Sequence, residues 1–146
     1  MKRIAIVLVG LVVVLYGAAI LVPVDPEERR PGTRLSGATA PEQETDWAFV
    51  EGRVRAWVET RTAYLIPHSI TVSAWADGGH LYVGCRDCDT KTWPKNVARD
   101  NRVRVKIGNA IYERRAIRIT DPDDRRAVLG PAADRTGFAV FRMDPR

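Results

Sequence analysis

The sequence predicts a mostly β (α+β) domain of about six antiparallel strands, closed or partly closed into a small barrel, with short accessory helices and one N-terminal transmembrane helix ahead of it. Three observations lead there. Leu81 and Val83 flank Tyr82, and Val103, Val105 and Ile107 alternate with Arg102, Arg104 and Lys106, a period of two that buries one face of a strand and wets the other. Short runs of this kind are separated by turn residues, Asp77-Gly78-Gly79 and Gly108-Asn109, which fold consecutive strands into hairpins. Residues 4–22 are apolar apart from glycine and Tyr16, with no charge between Arg3 and Asp25, close to the ~20 residues that a membrane-spanning helix needs. Closure into a barrel is favoured because it removes unpaired strand edges.

The apolar run comes first in the chain. A cleaved signal peptide is its rival, but such a segment has an apolar core of ~7–15 residues ending at a small-x-small site, whereas Gly17-Ala18-Ala19 is followed by more apolar chain. Residues 1–22 therefore read as an uncleaved membrane anchor. Lys2 and Arg3 argue for an N-terminus inside while Arg29, Arg30 and Arg34 lie close on the far side; the expected arrangement has the domain on the outer side of the membrane. Residues 23–45 are rich in Pro, Gly, Glu and Arg and bury too little apolar surface to offset ordering entropy, so a flexible linker is expected. The domain takes residues 46–146. It carries the whole net charge of +5, since residues 1–45 hold five basic and five acidic residues.

Within the domain, Trp47, Val50, Val54, Trp57 and Val58 recur mostly at three- and four-residue intervals, which predicts a helix with Gly52 off its apolar stripe and both tryptophans in the core. Residues 64–66 and 69–75 read as strands interrupted at Pro67, which lacks a ladder donor. Residues 81–83 return as the hairpin partner. Thr92 is positioned to cap a short helix with Pro94 in its first turn, where a missing amide has no partner to lose. Residues 102–107 and 111–119 form a second hairpin, Asp121-Pro122-Asp123-Asp124 supplies a turn and a cap for a short helix over 125–129 that Gly130-Pro131 stops, and residues 138–143 are the last strand.

From Arg86 to Arg118 there are ten basic residues against four acidic ones, so this stretch prefers an anion. The strand face of Arg102, Arg104 and Lys106 has no interleaved aromatic residues, which argues against nucleic acid. Lipid headgroups suit it better, and a solvated outer face is the simplest account. Cys85-Arg86-Asp87-Cys88 has Cys-x-x-Cys spacing. Zinc would need His68 and His80 as well, haem attachment would need His where Asp89 stands, and a redox dithiol would need a helix start at the first Cys. A local disulfide outside the cytoplasm is the plainest account, and no metal site is expected. His68 and His80 sit beside strand starts and read as structural. There is no Ser-His-Asp order and no strand-to-helix glycine loop, so a hydrolase has no visible machinery.

The order of IPHSITVSAWADGGHLYVGC, DTKTWPKN, NRVRVKIGNAIYERRAIRITDP and the closing FAVFRMDP resembles the split β-barrel flavin-binding superfamily, which includes pyridoxamine-phosphate-oxidase-like proteins and deazaflavin-dependent nitroreductases. The likeness covers about residues 46–146. It implies that the cofactor phosphate sits at the loop and helix after the third strand, and that the flavin ring lies in a cleft between two subunits of a homodimer. Carried onto this sequence, Thr90, Lys91, Trp93, Lys95 and Asn96 are the phosphate-side positions, with Arg86 and Arg99 as additions, and Trp93 is expected to pack rather than stack on a ligand. The implied cofactor is FMN, with a deazaflavin coenzyme or haem as alternatives. The implied activity is that of an oxidoreductase, and the other reading is a non-catalytic binding domain that has lost the cofactor. Residues 69–75 hold no Arg or Lys, where the family places further cations. Since a flavin itself carries the electrons, the scarcity of acid–base residues fits that chemistry.

Overall fold

A computed structural model describes residues 2–41 and 46–146. Helix α1 (Lys2–Leu21) is long and apolar enough to cross a membrane. Six strands follow the short β1 (Ala38–Thr39): β2 (Arg53–Arg61), β3 (Pro67–Asp77), β4 (His80–Arg86), β5 (Arg102–Ile107), β6 (Ala110–Arg118) and β7 (Phe138–Pro145). Antiparallel pairing runs β6-β5-β2-β3-β4-β7, and β7 pairs again with β6, so these six close into the expected barrel. β1 adds a parallel pair at the β6 edge.

Alternation fills the interior. Ala56 and Val58 of β2, Leu81 and Val83 of β4, Val103 and Val105 of β5, and Phe141 and Met143 of β7 meet in one buried cluster. Both predicted hairpins form. Asp77 faces His80 across Gly78-Gly79, whose φ values of 54° and 77° are the left-handed pair that a two-residue hairpin turn demands. Helix α2 (Thr92–Arg99) closes one end of the barrel through Trp93 and Val97. Helix α3 (Pro122–Leu129) begins where the Asp121 carboxylate accepts from the amides of Asp123 and Asp124, as expected of a cap. Val128 and Leu129 of α3 cover a second cluster of Trp75, Tyr82, Ile119 and Val140 outside the barrel.

Three local expectations are corrected. The helix expected from Trp47 through Val58 is instead a turn, closed by the Val50 amide on the Trp47 carbonyl, followed by β2. Gly52 has φ 62°, outside a right-handed helix, and from Val54 onward the buried side falls on every second residue. Trp47 is core, whereas Trp57 lies half-buried on the outer face. Residues 64–66 form no strand: the Leu65 amide bonds to Thr62 and Leu65 has φ 61°, so the chain turns there and β3 starts at Pro67, the strand position where a missing donor costs least. Thr92 does not cap α2. Lys91 holds the cap position with extended backbone, and no side chain caps the first amides.

The segment expected as a flexible linker is strapped to the barrel from Pro23 to Pro41, while residues 42–45 lie outside the described residues. Gly32 exchanges backbone hydrogen bonds with Ser69, the Trp57 indole donates to the Pro26 carbonyl at 3.2 Å, and Leu35 is buried. Lys106, itself buried, meets Asp25 at 2.5 Å. Burial pushes the Asp25 carboxyl up, and the hydrogen bonds from Lys106 and Ser36 more than cancel that, leaving it below the ordinary carboxylate range. Arg104 pairs with Glu59 at 2.6 Å and Arg102 with Asp100 at 2.8 Å, so the basic face expected to meet solvent or lipid is neutralised residue by residue. A Cβ on Gly32 would collide with the Val24 carbonyl oxygen. Gly32→Ala is therefore expected to loosen the strap at a cost of about 1–3 kcal/mol. Limited trypsin digestion of the full chain should cut faster at Arg29 and Arg34, and an unchanged digestion rate would show that the strap is not held at Gly32.

Candidate functional site: a cationic groove at the start of α2

The connection from β4 to α2 is rigid for local reasons. Cys85, at the end of β4, is disulfide-bonded to Cys88, with Cα atoms 5.3 Å apart. Asp87 takes the left-handed conformation with φ 50°, and a 3₁₀ turn (Cys88–Thr90) follows, its Cys88 amide donating to the Gly137 carbonyl. The Thr90 hydroxyl donates to the Asp87 carbonyl at 2.7 Å, and the Lys91 amide to the Cys88 carbonyl. This brings Arg86 and Lys91 to the same rim.

That rim borders a groove of about 890 Å³, within the size range of small-molecule sites. Its opposite side is β3, and its far lip is the strap at residues 28–31. Five cations line it: Arg29, Arg30, Arg53, Arg86 and Lys91, against the carboxylates of Glu28 and Asp87. Among the described residues none of the five forms an ion pair, although the Arg53 guanidinium lies over the Trp75 ring at 4.5 Å. The start of α2 also faces the groove through Thr92 and Trp93, and its first amides lack a side-chain cap. Uncapped helix amides and unpaired cations together favour an anion. Apolar side chains, Ile70, Val72, Trp93 and Phe138, stand among these polar groups in the lining. Two buried polar atoms on residues lining the groove, Nδ1 of His68 and Oγ1 of Thr71, have no hydrogen-bond partner among the described residues. Burial lowers the pKa of His68, which favours the neutral imidazole. The groove thus offers unpaired cations, apolar side chains and unpaired polar atoms in one place.

Of the seven residues predicted from the sequence, the structure brings Arg86, Lys91 and Trp93 to this groove. Trp93 is buried, and its ring packs against Phe141 at 4.7 Å, as expected of a packing residue. The other four do not line it. Thr90 is tied into its own turn, and Lys95 is exposed on α2. Asn96 is buried, donates to the Thr60 hydroxyl at 3.0 Å and accepts from Arg99 at 2.7 Å, so this pair fastens α2 to β2. Sequence reasoning missed Arg29, Arg30 and Arg53. The first two were assigned to a linker and the third to a helix; only the pairing of β2 with β3 places Arg53 near the groove. His80 is exposed beside its turn.

No family model and no curated protein matches the chain. Solved structures do. A protein of unknown function from Agrobacterium tumefaciens str. C58 aligns over 61% of this chain at 14% identity with a TM-score of 0.50, and this chain spans only 47% of that one. General stress protein 26 from Bacillus anthracis str. Sterne aligns over 70% of this chain and 87% of its own length, at 13% identity and a TM-score of 0.55. A NimC/NimA family protein from Clostridium acetobutylicum aligns over 61% of this chain and 72% of its own, at 16% identity and a TM-score of 0.49. The fold is the split β-barrel that the residues resemble.

Proposed function

We propose that the protein is a membrane-anchored oxidoreductase that binds a flavin-type cofactor in the groove at the start of α2, with FMN as the first candidate. The convergence of Arg86, Lys91 and the uncapped α2 amides on a groove that also holds Ile70, Val72 and Phe138 carries this reading. Arg86 and Lys91 would hold the phosphate, with Arg29 and Arg30 closing the clamp from the strap. Ile70, Val72 and Phe138 would exclude water from an aromatic ring, and His68 and Thr71 offer polar atoms to its edge. A bound flavin would supply hydride transfer at its ring. A deazaflavin coenzyme presents the same anion to the same cations. For haem, His68 is the lining residue that would hold the iron.

Helix α1 supports anchoring, and the Cys85–Cys88 disulfide supports an oxidising compartment, hence a domain on the outer side. A homodimer belongs to the same reading, and sedimentation of the full chain in detergent reads it directly. A second reading, a binding domain without cofactor, is favoured by one observation: Thr90, Lys95, Asn96 and Arg99 stand off the groove. The test is an absorption spectrum of the full chain purified in detergent, followed by titration with FMN, a reduced deazaflavin coenzyme and haem. A flavin absorption band or saturable flavin binding supports the oxidoreductase. A folded, colourless chain that takes up none of the three leaves the binding domain.

A further inference from the structure

The turn between β2 and β3 is built to present apolar side chains to the outside. Tyr64 is 76% and Leu65 64% exposed, among the most exposed large apolar side chains beyond α1. The turn is nevertheless fixed: the Thr62 amide donates to the Ile66 carbonyl, the Leu65 amide to the Thr62 carbonyl, and the Ile66 amide to the Thr62 hydroxyl. Leu65 is held at φ 61°, a conformation that a bulky residue adopts at a cost.

The position of the tip relative to α1 supplies a reason. The Tyr16 hydroxyl donates to the Tyr64 carbonyl at 2.6 Å. Tyr16 lies five residues before the end of α1 at Leu21, about 7.5 Å back along the helix axis. A carbonyl carried to that depth in a bilayer needs a donor from the protein, because lipid offers none; Tyr16 is that donor. Around the base of the tip and the end of α1, Arg61 and Arg34 are exposed, and Arg34 is bridged to Pro23 directly after the helix. A tyrosine and a leucine at the tip with arginines at the collar match the layering of a membrane interface, apolar below and phosphate above.

We infer that the Tyr64–Leu65 tip inserts into the bilayer interface beside α1, as a second membrane contact that sets the orientation of the barrel on the membrane. This rests on the anchor reading of α1. It has the consequence that His68 of the groove lining, three residues past the tip, lies near the membrane surface.

The test uses the full chain in phosphatidylcholine vesicles. Cys85 and Cys88 are bonded to each other, so Leu65→Cys supplies the sole free thiol for an environment-sensitive dye. Tyr64→Cys is a second reporter that keeps the Tyr64 carbonyl, and Val12→Cys reports the middle of α1. With nitroxide lipids labelled either near the headgroup or near the acyl end, the tip probes are expected to be quenched about threefold more strongly by the shallow label, and the Val12 probe more strongly by the deep one. Tip probes unquenched by either lipid, with the Val12 probe quenched, overturn the tip contact and keep the anchor. Absence of quenching at all three positions overturns the anchor and the tip contact together.

Discussion

Replacing Arg86 and Lys91 together by glutamine is expected to weaken FMN binding by about 100-fold to 10,000-fold while leaving the melting temperature within a few degrees of the parent. Each charge-assisted hydrogen bond to a phosphate contributes ~1.5–3 kcal/mol, and two of them give that range. Both side chains are exposed and neither forms an ion pair among the described residues, so the folded state loses little, roughly 0.5 kcal/mol or less per site. Lys95→Gln and Arg99→Gln serve as the contrast. Made together, they remove the same two charges, yet neither residue lines the groove, and Arg99 is occupied with Asn96. FMN affinity should therefore change less than about threefold in this double variant, apart from the general loss of positive potential. Flavin fluorescence quenching measures both sets, and equal losses in the two sets would show that the groove rim has no special role.

Loss of the Glu59 carboxylate should have the largest effect on folding. Glu59 is buried on β2, directly opposite Arg104 of β5, and one of its oxygens accepts both the Arg104 guanidinium at 2.6 Å and the Leu35 amide at 2.8 Å. It therefore joins two strands and the strap at one atom. Glu59→Ala leaves a largely buried cation and a buried amide without their acceptor, at a cost of about 3–5 kcal/mol. For a domain of this size the melting temperature should fall by about 10–20 °C. Glu59→Gln keeps an acceptor oxygen and should recover much of the difference. Thermal unfolding followed by circular dichroism measures this; a Glu59→Ala chain that melts with the parent would mean that the strap is fastened elsewhere.

The parts of the fold that were legible in the sequence are those governed by near neighbours. Gly78-Gly79 and Gly108 supply the positive φ that tight turns need, and the hairpins formed where they stand. β2 was misread because Val54 and Val58 are four residues apart, a spacing that fits one face of a helix and equally every second position of a strand. The partners that decide the matter, β3 and β5, are far along the chain. The strap was misread for the same reason: Asp25 finds Lys106 81 residues away and Leu35 finds Glu59 24 residues away, and local composition carries no sign of either. The candidate site divides along the same line. Arg86 and Lys91 follow the strand-loop-helix order and both line the groove. Asn96 does not line it and bonds to Thr60, 36 residues upstream, a partner that local sequence does not announce. Arg29 and Arg30 reach the groove only because the strap returns across β3.

Flavin binding at this groove depends on an anion held at the start of α2, and comparison of FMN with riboflavin, which has the same ring and no phosphate, isolates that anion. Binding of each to the full chain in detergent, at low and at high salt, is the measurement. FMN should bind at least about tenfold more tightly than riboflavin, with the gap narrowing as salt screens the cations. Equal affinities, or binding of neither, would contradict the claim that this groove is a site for a phosphate-bearing flavin.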